Sequence, residues 1–259
     1  MSQSKVIKRN IQLHEEEAKE YEEDNPDIFN QWESERINSN LEEIMDKIET
    51  GSSKTRVLDA GCGTGNILRK LLDQVDEAIG IDISDDMLEV ARRKTDESRN
   101  CQLVRGKVSD LPFPDNYFDL VTAYSLFHHL PEFENPISEI SRVLKPGGIF
   151  YLDHEPINRE EIPIKFYIKF CEFLNGETYE GLPPYEETDG LDREHCDYQI
   201  HHGENKGLPR AEIVEECEKN DLEILTEEKY LGYGSDQLNL LHPILKSLLD
   251  NEWLLISKK

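Results

Sequence analysis

A short apolar run followed at once by three alternating glycines constrains this chain more than any other feature. Residues 57–65 read Val-Leu-Asp-Ala-Gly-Cys-Gly-Thr-Gly. A continuous apolar run marks a strand buried on both faces of a parallel sheet, and glycines directly after it mark a backbone that bends sharply or approaches a ligand closely. Ile67, Leu68, Leu71 and Leu72 then recur at helical spacing. Strand, glycine loop and helix together are the first unit of a nucleotide-binding α/β sheet. Glycine spacing separates the ligand classes that use such a unit. Counted from Gly61 and Gly63, a dinucleotide fingerprint G-x-G-x-x-G needs glycine at position 66, where Asn66 stands, and the third glycine is Gly65.

Asp59 with Gly61, Gly63 and Gly65 resembles the first motif of class I S-adenosylmethionine-dependent methyltransferases. The resemblance implies that the acid ends the strand and that the loop, with Cys62 inside it, wraps the methionine moiety of the cofactor. A tight turn in a non-binding α/β domain is the plainer alternative. A second apolar run over residues 78–83 is interrupted by Asp82, 17 residues after Gly65. A carboxylate at the end of the second strand of a βαβ unit can accept hydrogen bonds from vicinal ribose hydroxyls. Ser84 caps the next helix, with Asp85 and Asp86 at its positive end. Ile83 and Met87 are cofactor-side candidates, Met87 as a flank for adenine or as a core residue.

Residues 102–106 read as a third strand, and residues 106–119 resemble the "GDAxxLPFPDNSFD" signature of ubiquinone/menaquinone-type methyltransferases. One position departs: the family aspartate that accepts from the adenine amino group falls on Lys107, which has no acceptor. Adenine recognition then rests on the Val108 N–H and its neighbour Ser109, with Asp110 as a substitute carboxylate. Residues 118–123 form a fourth strand, after which come Tyr124, His128 and His129, where this family brings sulfonium and acceptor together. The Lys145-Pro146-Gly147-Gly148 turn, also shared with the family, leads into a fifth strand over residues 149–152. Asp153, His154 and Glu155 follow at its carboxyl end. His129, His128, Asp153 and His154 are the candidate bases, each imidazole having cofactor packing as its alternative role.

Charge narrows the acceptor. With 29 basic against 55 acidic residues the net charge is −26, so a phosphate polyanion is repelled and nucleic acid is an unfavourable partner. Five cysteines lack C-x-x-C spacing, which fits reduced thiols, and no metal site is expected. No apolar run approaches the roughly 20 residues needed to span a bilayer, and the charged N-terminus is no signal peptide, so a cytoplasmic protein without an integral membrane segment is expected. Oligomeric state is not legible.

The family resemblance implies an α/β, Rossmann-like seven-stranded mixed sheet of order 3-2-1-4-5-7-6 with helices on both faces. Four parts are expected: a helical arm or cap over residues 1–50, a cofactor-binding core over 51–155, an inserted substrate lid over 156–208, and the completion of the α/β core over 209–259. The lid assignment rests on an apolar and aromatic block far longer than an ordinary connection. The function implied is methyl transfer from S-adenosylmethionine to a small-molecule or lipid-like acceptor. A catalytically silent S-adenosylmethionine-binding regulatory or assembly module is the competing reading.

Overall fold

The structure, a computed structural model, describes residues 18, 21–48, 54–95, 100–156, 208–230 and 252–259. The proposed lid lies almost wholly outside the described residues. So do residues 231–251 of the expected C-terminal completion of the core.

Three helices, α1 (Tyr21–Asp24), α2 (Pro26–Phe29) and α3 (Gln31–Lys47), precede the sheet. Asn30 caps α3 through its side chain, which accepts from the Glu33 N–H at 2.8 Å. Strand β1 (Arg56–Ala60), helix α4 (Asn66–Leu71), β2 (Glu77–Asp82), α5 (Asp85–Thr95) and β3 (Cys101–Arg105) form the first half. The second half runs β4 (Phe118–Tyr124), a single 3₁₀ turn over Phe127–His129, α6 (Glu134–Val143) and β5 (Leu144–Pro156). After residue 207 follow α7 (Arg210–Lys219), β6 (Glu223–Tyr230) and β7 (Glu252–Lys258). The seven strands lie in the order 3-2-1-4-5-7-6, parallel from β3 to β5, with β7 antiparallel to both β5 and β6. The expected topology is the observed one.

Period-two geometry divides each apolar run between two cores. Leu58, Val121, Phe150 and Leu152 face one core, with Ile137 and Ile140 of α6 and Ile213 of α7. Their sequence neighbours Val57, Leu120, Ile149 and Tyr151 face the other, against Ile37, Leu41 and Ile44 of α3. Burying such a side chain contributes roughly 1.5–3 kcal/mol each, so both faces need their helices.

β5 is longer than the expected 149–152. It keeps pairing with β4 back to Leu144 and with β7 on to Pro156, absorbing the glycine turn as a register shift on one side and a second shift between Leu152 and Glu155 on the other. His154, at that second shift, has φ 57, in the left-handed region. The Leu208 N–H donates to the Pro156 carbonyl at 3.1 Å, so the two ends of segment 157–207 meet at the carboxyl end of β5.

Buried charge ties α3 to that same end. Glu33, fully buried, lies on the stripe that continues through Ile37, Leu41 and Ile44. Arg36 donates to Glu33, to Asp153 at 2.8 Å and to the Tyr230 hydroxyl at 2.9 Å, and its guanidinium lies 3.9 Å from the Tyr230 ring centroid. Tyr230 and Tyr151 both donate to Asp153. Burial works to raise the Glu33 pKa, but the bonds from Arg36 and His154 outweigh it and hold the group at about 2. Replacing Arg36 by Met leaves two buried carboxylates facing one another, and the expected loss is about 3–5 kcal/mol. Urea unfolding at neutral pH checks it: a loss below about 1 kcal/mol would show that the carboxylates are solvated in the native state.

Candidate functional site

The parallel arrangement puts the carboxyl ends of β2, β1 and β4 side by side, and a cleft of about 1170 Å³, its open mouth included, lies in front of them. Three glycines after β1 shape its floor. Gly61, Gly63 and Gly65 have φ of 70, 48 and 84, a region that L side chains rarely adopt. A Cβ on Gly61 would come within 2.5 Å of the Leu126 side chain, whereas one on Gly63 would meet nothing within 4 Å. A side chain at Gly61 would be strained by its φ and would push the Leu126 side chain aside, and Gly63 leaves its backbone bare toward the cleft. Gly65 ends the loop as the N-terminal cap of α4 and does not line the cleft.

Asp82 holds this loop in place. Its Oδ2 accepts from the Gly63 N–H at 2.9 Å and its Oδ1 from the Ser84 N–H at 2.8 Å, while the residue itself lines the cleft. A carboxylate oxygen can accept more than one hydrogen bond, which is the chemistry that recognises a hydroxyl. Ile83, Met87 and Val108 form an apolar flank beside it, with Lys107 and Ser109 on the same wall. Met87 is both core and lining, being 2% exposed. Lys107 is solvent-exposed, and its backbone pairs with that of Asp110 in a single bridge. Cys62 lines the floor with its thiol buried, and burial pushes that thiol well up.

Tyr124 and His129 line the opposite side with Leu126 and Leu130. Ser125, between strand and turn, has φ 54. Glu155 organises this turn from behind. It is fully buried and accepts from the N–H groups of Leu126, Phe127 and His128 at 2.8, 2.7 and 3.1 Å, with His128 Nδ1 2.8 Å from its Oε2. Burial pushes Glu155 up to about 8 against the pull of these donors. His128 is thus engaged behind the turn and is not on the cleft lining, whereas His129, its ring centroid 4.0 Å away, is. Asp153 and His154 also lie outside the lining, buried in the cluster around Arg36. The structure therefore gathers Gly61, Cys62, Gly63, Asp82, Ile83 and Met87 on one side of the cleft. Lys107, Val108, Ser109, Tyr124 and His129 complete it.

Asp59 sits one layer below. Its Oδ1 accepts from the Thr122 hydroxyl at 2.7 Å, and Oδ2 has no hydrogen-bond partner among the described residues. The sequence reading expects the helical arm as a cap but assigns none of its residues to the cleft: Tyr21, Ile28 and Phe29 line it, and the Glu22 carboxylate accepts from Thr64 of the loop at 3.2 Å and from Arg69 of α4 at 3.0 Å. It also passed over Glu33, whose signal was an acid on an otherwise apolar helical stripe.

Residues 58–152 match the family model of a methyltransferase domain. This central segment is therefore similar to methyltransferase domains, and it sits in a Rossmann-like sheet. Over 100 residues it is 43% identical to the demethylmenaquinone methyltransferase of Staphylococcus saprophyticus, a stretch that is 38% of this chain and 43% of that protein. It is also 43% identical over 98 residues to the Staphylococcus aureus (strain JH9) protein of that name, covering 37% and 41% of the two chains. The match therefore spans less than half the length of these relatives. Among solved structures, the YcgJ protein of Bacillus subtilis superposes with TM-score 0.55 at 19% identity, over 86% of this chain and 97% of that one. A geranyl diphosphate C-methyltransferase of Streptomyces coelicolor superposes with TM-score 0.55 at 15% identity, covering 85% and 78%. At these identities the two structures establish the fold. Every cleft residue from Gly61 to His129 lies inside the segment that matches the methyltransferase model, and the arm lies outside it. Among the described residues no helix is long and apolar enough to cross a membrane, and no group of three or more His, Cys, Asp or Glu is arranged to hold a metal.

Burial of Asp59, opposed by its bond from Thr122 and aided by the Asp82 charge, pushes it from 3.8 up to about 7. An acid raised in this way keeps its proton in the folded state after the unfolded chain has lost it, so stability falls as pH rises from about 3.8 to about 7 and then levels. Asp59→Asn removes that dependence. Its advantage over the parent in melting temperature should grow between pH 4 and 7, as differential scanning calorimetry would show, and a constant difference would place the Asp59 titration outside this window.

Proposed function

We propose that this chain binds S-adenosylmethionine in the cleft between the glycine loop and Asp82 and transfers its methyl group to a small-molecule or lipid-like acceptor. The observation that carries the reading is the Gly63 to Asp82 geometry: a bare backbone and an acid at the end of β2 on one cleft, within the stretch that matches the methyltransferase family. The residues present fit the cofactor. Gly61 and Gly63 let the backbone approach the methionine portion closely, and Asp82 accepts from the vicinal ribose hydroxyls. Ile83, Met87 and Val108 provide the apolar walls an adenine ring needs. When bound, the cofactor supplies an electrophilic methyl carried by a sulfonium.

The chain's own part is alignment and exclusion of water. Tyr21, Ile28 and Phe29 of the arm close one side of the cleft, while Leu126, Leu130, Pro131 and Pro136 give the other an apolar character. That lining suits an acceptor with an apolar body, in keeping with the quinone named for the staphylococcal relatives. If the acceptor must lose a proton, His129 is the lining imidazole in position to take it. Tyr124 does not serve as a base, because burial and the neighbouring Glu33 and Asp153 charges raise its phenol far above 10. Asp153 and His154 support the wall from behind.

Calorimetry tests the cofactor half directly. S-adenosylmethionine and its demethylated product should bind and a nicotinamide dinucleotide should not; the reverse pattern would overturn the reading. Asp82→Ala should weaken binding by about 1–3 kcal/mol, the cost of unpaired hydroxyls, to which a loosened Gly63 loop adds. Lys107→Asp should tighten it by restoring an acceptor beside the adenine wall. Weaker binding by that variant would assign the adenine contact to Asp110.

A further inference from the structure

One side chain of the cleft is built into a buried charge cluster in a way that motif matching does not reveal. Tyr124 stands at the carboxyl end of β4 and lines the cleft, yet its hydroxyl is turned away from it and donates to Glu33 Oε1 at 2.7 Å. Glu33 is fully buried, takes the Arg36 guanidinium on the same carboxylate, and belongs to α3, outside the methyltransferase-matched segment. The His154 ring stacks on Tyr124 with centroids 5.0 Å apart and planes 16° from parallel. That covers one face of a ring whose residue lines the cleft.

A phenol that donates to a carboxylate polarises, pushing electron density back into its ring. An electron-rich ring attracts a cation placed against it, and the attraction grows when water is excluded. The cofactor's one permanent cation is its sulfonium, which joins the ribose arm to the methionine arm. With Asp82 holding the first and the Gly61–Gly63 loop the second, the strand order 2-1-4 puts the junction beside the end of β4. We propose that the Glu33–Tyr124 pair is a charge-selective wall that favours the sulfonium donor over the neutral thioether product, so that the product is released after transfer. Tyr124 touches the cofactor in this scheme, and Glu33 is a positioning residue acting through it. The inference rests on the cofactor site proposed above and adds a role that no family motif assigns to Glu33.

The test measures affinity, needs no acceptor, and uses the full chain. Dissociation constants are determined for S-adenosylmethionine, for S-adenosylhomocysteine, and for sinefungin, which carries an ammonium in place of the sulfonium. Tyr124→Leu should weaken both cations roughly 3- to 20-fold. The thioether should change less than about 2-fold, the difference in kind expected of an interaction with charge alone. Tyr124→Phe and Glu33→Gln, which keep the ring but lose the polarising bond, should give smaller losses with the same selectivity. Tyr124→Phe leaves the Arg36 to Glu33 pairing in place and so remains informative if Glu33→Gln does not fold. Equal weakening of all three ligands by both Tyr124 variants would reduce the wall to simple packing and overturn the proposal. Wild-type protein that binds the thioether and neither cation would also overturn it. If wild-type protein binds none of the three, the cofactor reading falls and takes this inference with it.

Discussion

A single carboxylate sets the geometry on which the cleft depends. Asp82 accepts from the Gly63 N–H with one oxygen and from the Ser84 N–H with the other, which joins the loop after β1 to the start of α5. Both bonds go to backbone N–H donors. A charged acceptor makes such bonds stronger than neutral ones, so the loop is held before any ligand arrives. The left-handed glycines are what allow the loop to reach that acceptor. Remove the carboxylate and two adjacent elements lose their common anchor, whatever it also does for a ribose.

A second anchor works from the other end of the sheet. Arg36 lies between the Glu33 and Asp153 carboxylates and against the Tyr230 ring, so α3, β5 and β6 meet at one guanidinium. Burying three charges costs several kcal/mol each in desolvation, and hydrophobic residues of similar volume would stabilise the fold as well or better. Their position at the ends of β4 and β5, directly behind Tyr124, is what gives the cluster a meaning beyond stability. Glu155 plays the corresponding part for the turn that presents His129, accepting three consecutive N–H groups from a buried position. His154 and Ser125, both at positive φ, sit between these anchors, and backbone strain of this kind persists only where the surroundings over-determine it.

The matched family segment and the rest of the chain divide the site unequally. Residues 58–152 provide the floor, the Asp82 wall and the turn after β4. The arm brings Tyr21, Ile28 and Phe29 to the lining, Glu22 to the glycine loop, and Glu33 to the back of Tyr124. The segment that matches the methyltransferase model thus receives part of its covering and of its buried charge from elements outside residues 58–152. Differences in acceptor are expected to arise there.

How much of this was legible in the residues depends on the distance over which each signal acts. The apolar run at Val57, the glycines after it and the acid at Asp82 are local consequences of a strand that must turn sharply at a ligand. They point to an α/β sheet, its first crossover and the loop-and-acid side of the cleft without reference to anything far away. Asp59 looked like part of that cleft from its place in the motif and proved to lie beneath it, hydrogen-bonded to Thr122 of a strand 63 residues on. His128 and His129 are adjacent and chemically identical, and only the position of Glu155 decides that the first is held behind the turn while the second lines the cleft. Glu33 was visible in sequence as an acid on the stripe that continues through Ile37, Leu41 and Ile44, which does not say what it meets. Its burial, its guanidinium and the phenol it orients come together across 91 residues of chain when α3 packs on the ends of β4 and β5. Propensity and spacing act within a few turns of backbone, whereas the pairing of buried charges is decided by which surfaces the folded sheet brings into contact.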